Sequence, residues 1–297
     1  MLAERLGGQP PHEFLQPLPI PTGDPTFDRA KTGYFNDLAL QEIGAFRVHI
    51  DQGLWDREDS WRNVSEHCLV EVARVGVLTN LLRLDPAVAR DTATAAALHD
   101  YYKKEEKALM VERGLSPEAY TEAGRRSADG LRARGFSDRV VRLAGSIGHD
   151  TVPEAEDITE KPELNDEDLA WLAMHSVDEY TSGSDWVDPV EVGDDGVARN
   201  DLDRYMGKAK ANPRYAVLRD HILTDVDGTP YRGGTEGAYD SQIRVGHRVM
   251  EVLTDAIRER NGIGIHPLDL PMYVDNVIKQ QILERTDSNA QRQAGEQ

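Results

Sequence analysis

Apolar residues recur at three- and four-residue intervals through most of this chain, the spacing that places them on one face of a helix. The pattern predicts helices over roughly 35–54, 60–83, 87–109, 117–134, 137–149 and 166–181, with two more near 241–260 and 270–285. No alternating strand pattern competes with them. Pro and Gly punctuate the breaks, as in LDPAVA (84–89), RGLSPEA (113–119), ARGFSDR (133–139) and EKPELNDED (160–168). Several breaks carry a helix cap: Ser116 ahead of Pro117, Ser137 ahead of Asp138, and Asn165 or Asp166 at the head of an acidic first turn. These signals specify an all-α fold.

The two ends and one interior stretch depart from the pattern. Residues 1–27 are rich in Pro and Gly and show no period, which predicts an extended arm. Residues 182 to about 240 hold an acidic stretch (DWVDPVEVGDDGVARNDLD) and a glycine-rich one (DGTPYRGGTEGAYD), read as loops and short helices. Residues 286–297 form a polar tail, TDSNAQRQAGEQ with its neighbour, too poor in apolar groups to order itself. Between arm and tail, 28–285 reads as one domain without internal repeats.

Composition narrows the function classes. A chain of 297 residues with 39% hydrophobic content can bury a sizeable core. Its single cysteine, Cys68, excludes an internal disulfide and a structural zinc site built from several thiolates, and it fits a reducing cytoplasm. No apolar run is long enough to span a bilayer and the N-terminus lacks the layout of a secretory signal, so membrane partners are not expected. A formal net charge of −19 opposes a nucleic-acid backbone, while leaving room for a small phosphorylated molecule. Nothing in the chain specifies an oligomeric state.

Ligand-type residues stand out against the helical pattern. On a helical projection His67 shares its face with Val64, Val70, Leu78, Leu81 and Leu82, all within about 60° of it. Asp178 shares a face with Trp171, Met174 and His175, apolar surroundings in which an unpaired carboxylate is expensive. His99 and Asp100 end the apolar run ATAAAL and lead into YYKK, with Lys103 three residues after Asp100.

The order of these residues resembles the HD-domain superfamily of metal-dependent phosphohydrolases: a His on one helix, an apolar run ending in His-Asp with a Lys three residues on, and a later Asp in a helix. SEHCLVEVARVGVLTNLLRLDP looks like the family's first His helix and LAMHSVDEYTS like its last Asp helix, so the resemblance covers residues 60–182. It implies an HD-type helical bundle with a C-terminal helical extension. It also implies that His67, His99, Asp100 and Asp178 bind one divalent metal (Mn, Fe, Co, Ni, Zn or Mg) while Lys103 approaches a phosphate oxygen. The donor chemistry agrees, because imidazoles and carboxylates suit these cations and leave positions open for water and substrate. The implied activity is hydrolysis of a small phosphorylated substrate, with a nucleotide as the leading class.

Other residues join the candidate list with less direct reasons. His149, in a second His-Asp, falls near the end of the 137–149 helix, where the resemblance places a catalytic, substrate-side or second-metal histidine. His175 shares the Asp178 face and could be a second-metal ligand or a hydrogen-bond partner. Arg125 and Arg126 belong to a basic run with Arg132, Arg134, Arg139 and Arg142, any of which could clamp a phosphate. Two rival readings stay open: an HD-type mixed-valent diiron oxygenase using His149 and His175 as extra ligands, and a non-catalytic nucleotide-binding protein. The string HILTDVDGTPYRG looks like the first motif of haloacid-dehalogenase-type phosphatases. Too little chain follows it for that parallel α/β fold, so Asp225 and Asp227 are expected to shape a turn.

Overall fold

The computed structural model describes residues 24–55, 61–114, 116–181, 191–192, 198–199, 221–225 and 227–295. Eleven α-helices fill these residues. They are α1 (Pro25–Gln41), α2 (Ile43–Asp51), α3 (Arg62–Leu81), α4 (Pro86–Leu98), α5 (Lys103–Arg113), α6 (Pro117–Ala133), α7 (Asp138–Ala144), α8 (Val152–Thr159), α9 (Asp166–Tyr180), α10 (Ala238–Asn261) and α11 (Leu270–Gly295). Among the described residues the extended pairing is small: Glu191–Val192 runs antiparallel to Ala198–Arg199, and one bridge joins Thr224 to Pro230. The all-α expectation holds. No helix is long and apolar enough to cross a membrane among the described residues.

Helix α3 is the hub. It packs against α1, α4, α9, α10 and α11, so residues on nearly every side of it are buried, from Val64 and Cys68 to Leu78 and Leu81. An apolar residue on any face of such a helix removes surface from water, at about 25 cal/mol per Å². Arg74 is buried in the same helix and is fully engaged: Nε and Nη2 donate to the two Asp275 oxygens at 2.8 Å, and Nη1 donates to Thr181 Oγ1 at 2.7 Å. This pair ties α3 to α11 and to the end of α9.

The expected caps are in place. Ser116 Oγ accepts from Ala119 N (3.2 Å) and Ser137 Oγ from Val140 N (3.3 Å). Asn165 forms a capping box with Asp168 at the start of α9. Asp166 then accepts from the Asp85 amide and from Arg260, fastening the heads of α4 and α9 to the end of α10.

Several boundaries differ from the sequence expectation. The helix expected over 35–54 starts at Pro25, capped by the Asp24 carboxylate on Thr26 N, and divides at Glu42 into α1 and α2. The stretch 87–109 is two helices separated by a turn at residues 99–102. The 137–149 helix ends at Ala144, and α8 follows where none was expected, with Pro153 in its first turn. The last helix continues through Gly295, into the stretch read as a polar tail; Ala, Gln and Arg there are good helix formers. The expected arm lies outside the described residues up to position 23. Asp225 and Asp227 do shape a turn: Gly228 N donates to Asp225 O (2.8 Å) and Thr229 N to Asp227 Oδ1 (2.9 Å).

Candidate metal centre

Three helices and one turn supply the ligand-type groups. His67 lies on α3, Asp178 in the last turn of α9, and His99 caps the C-terminus of α4. The turn after α4 follows from anchoring rather than from Pro or Gly. Tyr101 is fully buried, and its hydroxyl donates to Ser127 O of α6 at 2.7 Å, which draws the chain out of the helical path just after His99. Gly130 allows that approach, since a Cβ there would stand 2.4 Å from the Tyr101 hydroxyl. Asp100 therefore sits in the turn and Lys103 opens α5.

A fourth group joins these: Glu71, one helical turn beyond His67 on α3. His67, Glu71, His99 and Asp178 each bring a ligand atom to within 4.8 Å of the other three, and they are the one such cluster among the described residues. His67 Nε2 stands 3.0 Å from Glu71 Oε1 and 3.5 Å from Asp178 Oδ1. His99 Nε2 stands 3.8 Å from Asp178 Oδ1 and 4.0 Å from Asp100 Oδ2. Asp100 is at the margin of the cluster, with Oδ1 3.2 Å from the Lys103 ammonium. Lys103 is also 3.5 Å from Glu106.

The rings are oriented as ligands would be. His99 Nδ1 is 2.8 Å from Ala96 O; a carbonyl only accepts, so Nδ1 carries the proton and Nε2 presents its lone pair to the cluster. That Nε2 is buried and meets no hydrogen-bond partner among the described residues, and the same is true of both Glu71 oxygens. Buried polar atoms are seldom left so. Behind His99, His49 Nε2 donates to Ala97 O (2.7 Å), and the buried Cys68 thiol lies against His49 and His99.

Electrostatics without a cation favour bound protons. Burial would push His67 and His99 down, but Glu71 and Asp178 around His67, and Cys68, Glu71 and Asp100 around His99, hold both well above the usual imidazole value. Burial raises Glu71 to about 7 against the opposing pull of His99 and His67. Burial also raises Cys68, but the two histidines outweigh it and bring the thiol to about 6. Asp100 and Asp178 resist burial: Lys103, His99 and His67 hold Asp100 below the usual carboxylate range, and His67 and His99 do so for Asp178. These are donors that a cation can claim by displacing protons.

The remaining candidates lie elsewhere. His149 opens a 3-10 turn, His149–Thr151, instead of ending a helix, because the helix stops at Ala144 with Gly145 as its C-cap; its side chain is outside the described residues. His175 is fully buried beside the cluster and faces other partners: Nδ1 donates to Ser146 O (2.8 Å), Nε2 lies 3.2 Å from Glu179 Oε1 outside hydrogen-bonding geometry, and Trp171 stacks on the ring. Arg125 and Arg126 are exposed on α6 and both bind Glu122, and Arg125 also binds Asp129. Arg132, Arg139 and Arg142 are likewise ion-paired, and Arg232 of the glycine-rich string binds Glu156. No described contact joins these arginines to the cluster.

Glu71 is the group that pattern reading passes over. Its signal was present, a carboxylate four residues after His67 and so on the same helical face. No protein-family profile, curated protein or solved structure matches this chain.

Proposed function

We propose that this protein is a metal-dependent phosphohydrolase acting on a small phosphorylated molecule, with a nucleotide as the leading substrate class. The observation that carries the reading is the convergence of His67, Glu71, His99 and Asp178, whose ligand atoms lie within 4.8 Å of one another, with Asp100 and Lys103 at the margin. The HD-type resemblance of residues 60–182 supports the same assignment and supplies the substrate class.

The donor set fits one divalent cation. Two imidazoles and carboxylates suit Mn, Fe, Co, Ni, Zn or Mg, and one cluster among the described residues favours one metal over two. When bound there, such a cation polarises a phosphoryl oxygen and acidifies water near neutral pH. The chain's own groups do the rest. Exposure rises from Glu71 and His99, whose side chains are fully buried, through His67 (12%) and Asp100 (17%) to Lys103 (27%) and Asp178 (28%). Substrate therefore enters on the Asp178–Lys103 side. Asp100 holds the Lys103 ammonium at that opening, where its charge offsets a phosphate's.

The test is phosphate release from a panel of nucleotides and sugar phosphates with Mn, Co, Ni or Mg supplied. Release by wild type that is lost in Asp178→Asn, with helical content unchanged, supports the reading. Metal-loaded wild type that releases no phosphate from any member of the panel overturns it.

A further inference from the structure

We propose that Glu71 is an inner donor of the metal centre, contributing more to metal retention than Asp100 does. This rests on the metal-centre part of the reading above and not on the reaction assigned to it.

The spacing is that of a ligand. Two donors each about 2.1 Å from one cation and at a right angle to each other are about 3.0 Å apart. Glu71 Oε1 is 3.0 Å from His67 Nε2, and Asp178 Oδ1 is 3.5 Å from the same nitrogen, so His67 has a carboxylate oxygen at ligand spacing on each side. Glu71 Oε2 lies 3.2 Å from His99 Nδ1, the protonated nitrogen of that ring. One carboxylate thus lies against both imidazoles, with one oxygen at ligand spacing from His67, while Ala96 O fixes the His99 ring.

Burial makes a charge on Glu71 costly. Its side chain is fully buried, neither oxygen makes a hydrogen bond of full geometry, and the two face the imidazoles, 3.0 Å from His67 Nε2 and 3.2 Å from His99 Nδ1. Arg74, one turn further along α3, is committed to Asp275 and Thr181. Lys103 is committed to Asp100 and Glu106. An isolated buried carboxylate is costly, and the place left for a compensating charge is the centre itself.

Helix α9 provides an internal comparison. His175 and Glu179 repeat the four-residue spacing of His67 and Glu71, and Glu179 is also buried with neither oxygen hydrogen-bonded. No third donor group of this kind gathers around them among the described residues. At Glu71 three donors face a common point. Asp100, by contrast, falls outside the group whose atoms all lie within 4.8 Å.

The experiment measures Mn(II) affinity and thermal stability of wild type, Glu71→Gln and Asp100→Asn, each full length. Glu71→Gln is expected to weaken Mn(II) binding about 100-fold, and Asp100→Asn less than 10-fold. In chelator, Glu71→Gln is expected to melt close to the wild-type temperature, because the amide keeps the shape of the buried carboxylate. An affinity loss in Glu71→Gln no larger than that in Asp100→Asn overturns the proposal. So does a Glu71→Gln protein that fails to fold or melts well below wild type in chelator. Wild type that binds no Mn(II) sinks the metal centre altogether, whereas wild type that binds it without releasing phosphate sinks only the phosphohydrolase reading.

Discussion

The Tyr101 hydroxyl donates to the Ser127 carbonyl across the bare α-carbon of Gly130, and this contact turns the chain between His99 and Lys103. A methyl group at residue 130 would stand 2.4 Å from the hydroxyl, so the buried ring would have to shift and loosen its bond to Ser127. Gly130→Ala is expected to destabilise the protein by about 1–3 kcal/mol, the usual cost of overpacking, and to weaken metal retention by moving the His99 turn. Melting temperature and bound metal are the readouts. Unchanged values for both would show that the turn does not depend on this contact.

Arg74 and Asp275 are a buried pair, with 1% and 9% of their side chains exposed. Removing one partner leaves the other charge buried. Arg74→Ala should cost about 3–5 kcal/mol in denaturant unfolding, and an apolar replacement of both residues should cost less than either single change. A double variant as unstable as the sum of the singles would contradict this.

Metal affinity should rise with pH. Without a cation, His67 and His99 hold protons well above the usual imidazole value, and burial raises Glu71 to about 7. A cation must displace those protons, so they compete with it less as pH increases. Titration with Mn(II) is expected to give at least a tenfold tighter apparent affinity at pH 8 than at pH 6. A flat or falling profile would contradict the ligand assignment.

Glu156 makes a separate acid-range prediction. Burial would raise it, but the hydrogen bonds from Arg232, Tyr231 and Arg244 outweigh burial and lower it from 4.5 to about 2. Its folded value lies below its unfolded one, so its stabilisation is complete above about pH 4.5 and lost as pH falls through 2. The melting-temperature gap between wild type and Glu156→Gln should therefore be widest above pH 5 and narrow progressively below it. A gap that grows on acidification would reverse the sign and refute the assignment.

Much of the site was legible because its residues break a pattern. His67 and Asp178 interrupt apolar helical faces, and His99 ends an apolar run. The helix caps at Ser116, Ser137 and Asn165 were legible for a local reason, since each satisfies backbone amides within three residues. Features decided by distant contacts were not. The break after His99 depends on Tyr101 reaching α6, and DYYKK contains no Gly or Pro to announce it. Glu71 and Arg74 look alike in the string VEVARV, two charges on a helix, and only the tertiary structure separates them. Arg74 meets Asp275, 201 residues away, while Glu71 meets the histidines. The Asp24-Pro25 start of α1 was a readable signal, a cap followed by Pro in the first turn, masked by the Pro- and Gly-rich stretch before it.

The central claim is that one divalent cation is held by His67, Glu71, His99 and Asp178. Anomalous diffraction from crystals of the full chain soaked in Mn(II) tests it most directly. The account predicts one strong peak per chain, within about 2.4 Å of His67 Nε2, His99 Nε2, a Glu71 oxygen and Asp178 Oδ1. A peak held by other residues, or none at this cluster at saturating Mn(II), would contradict it.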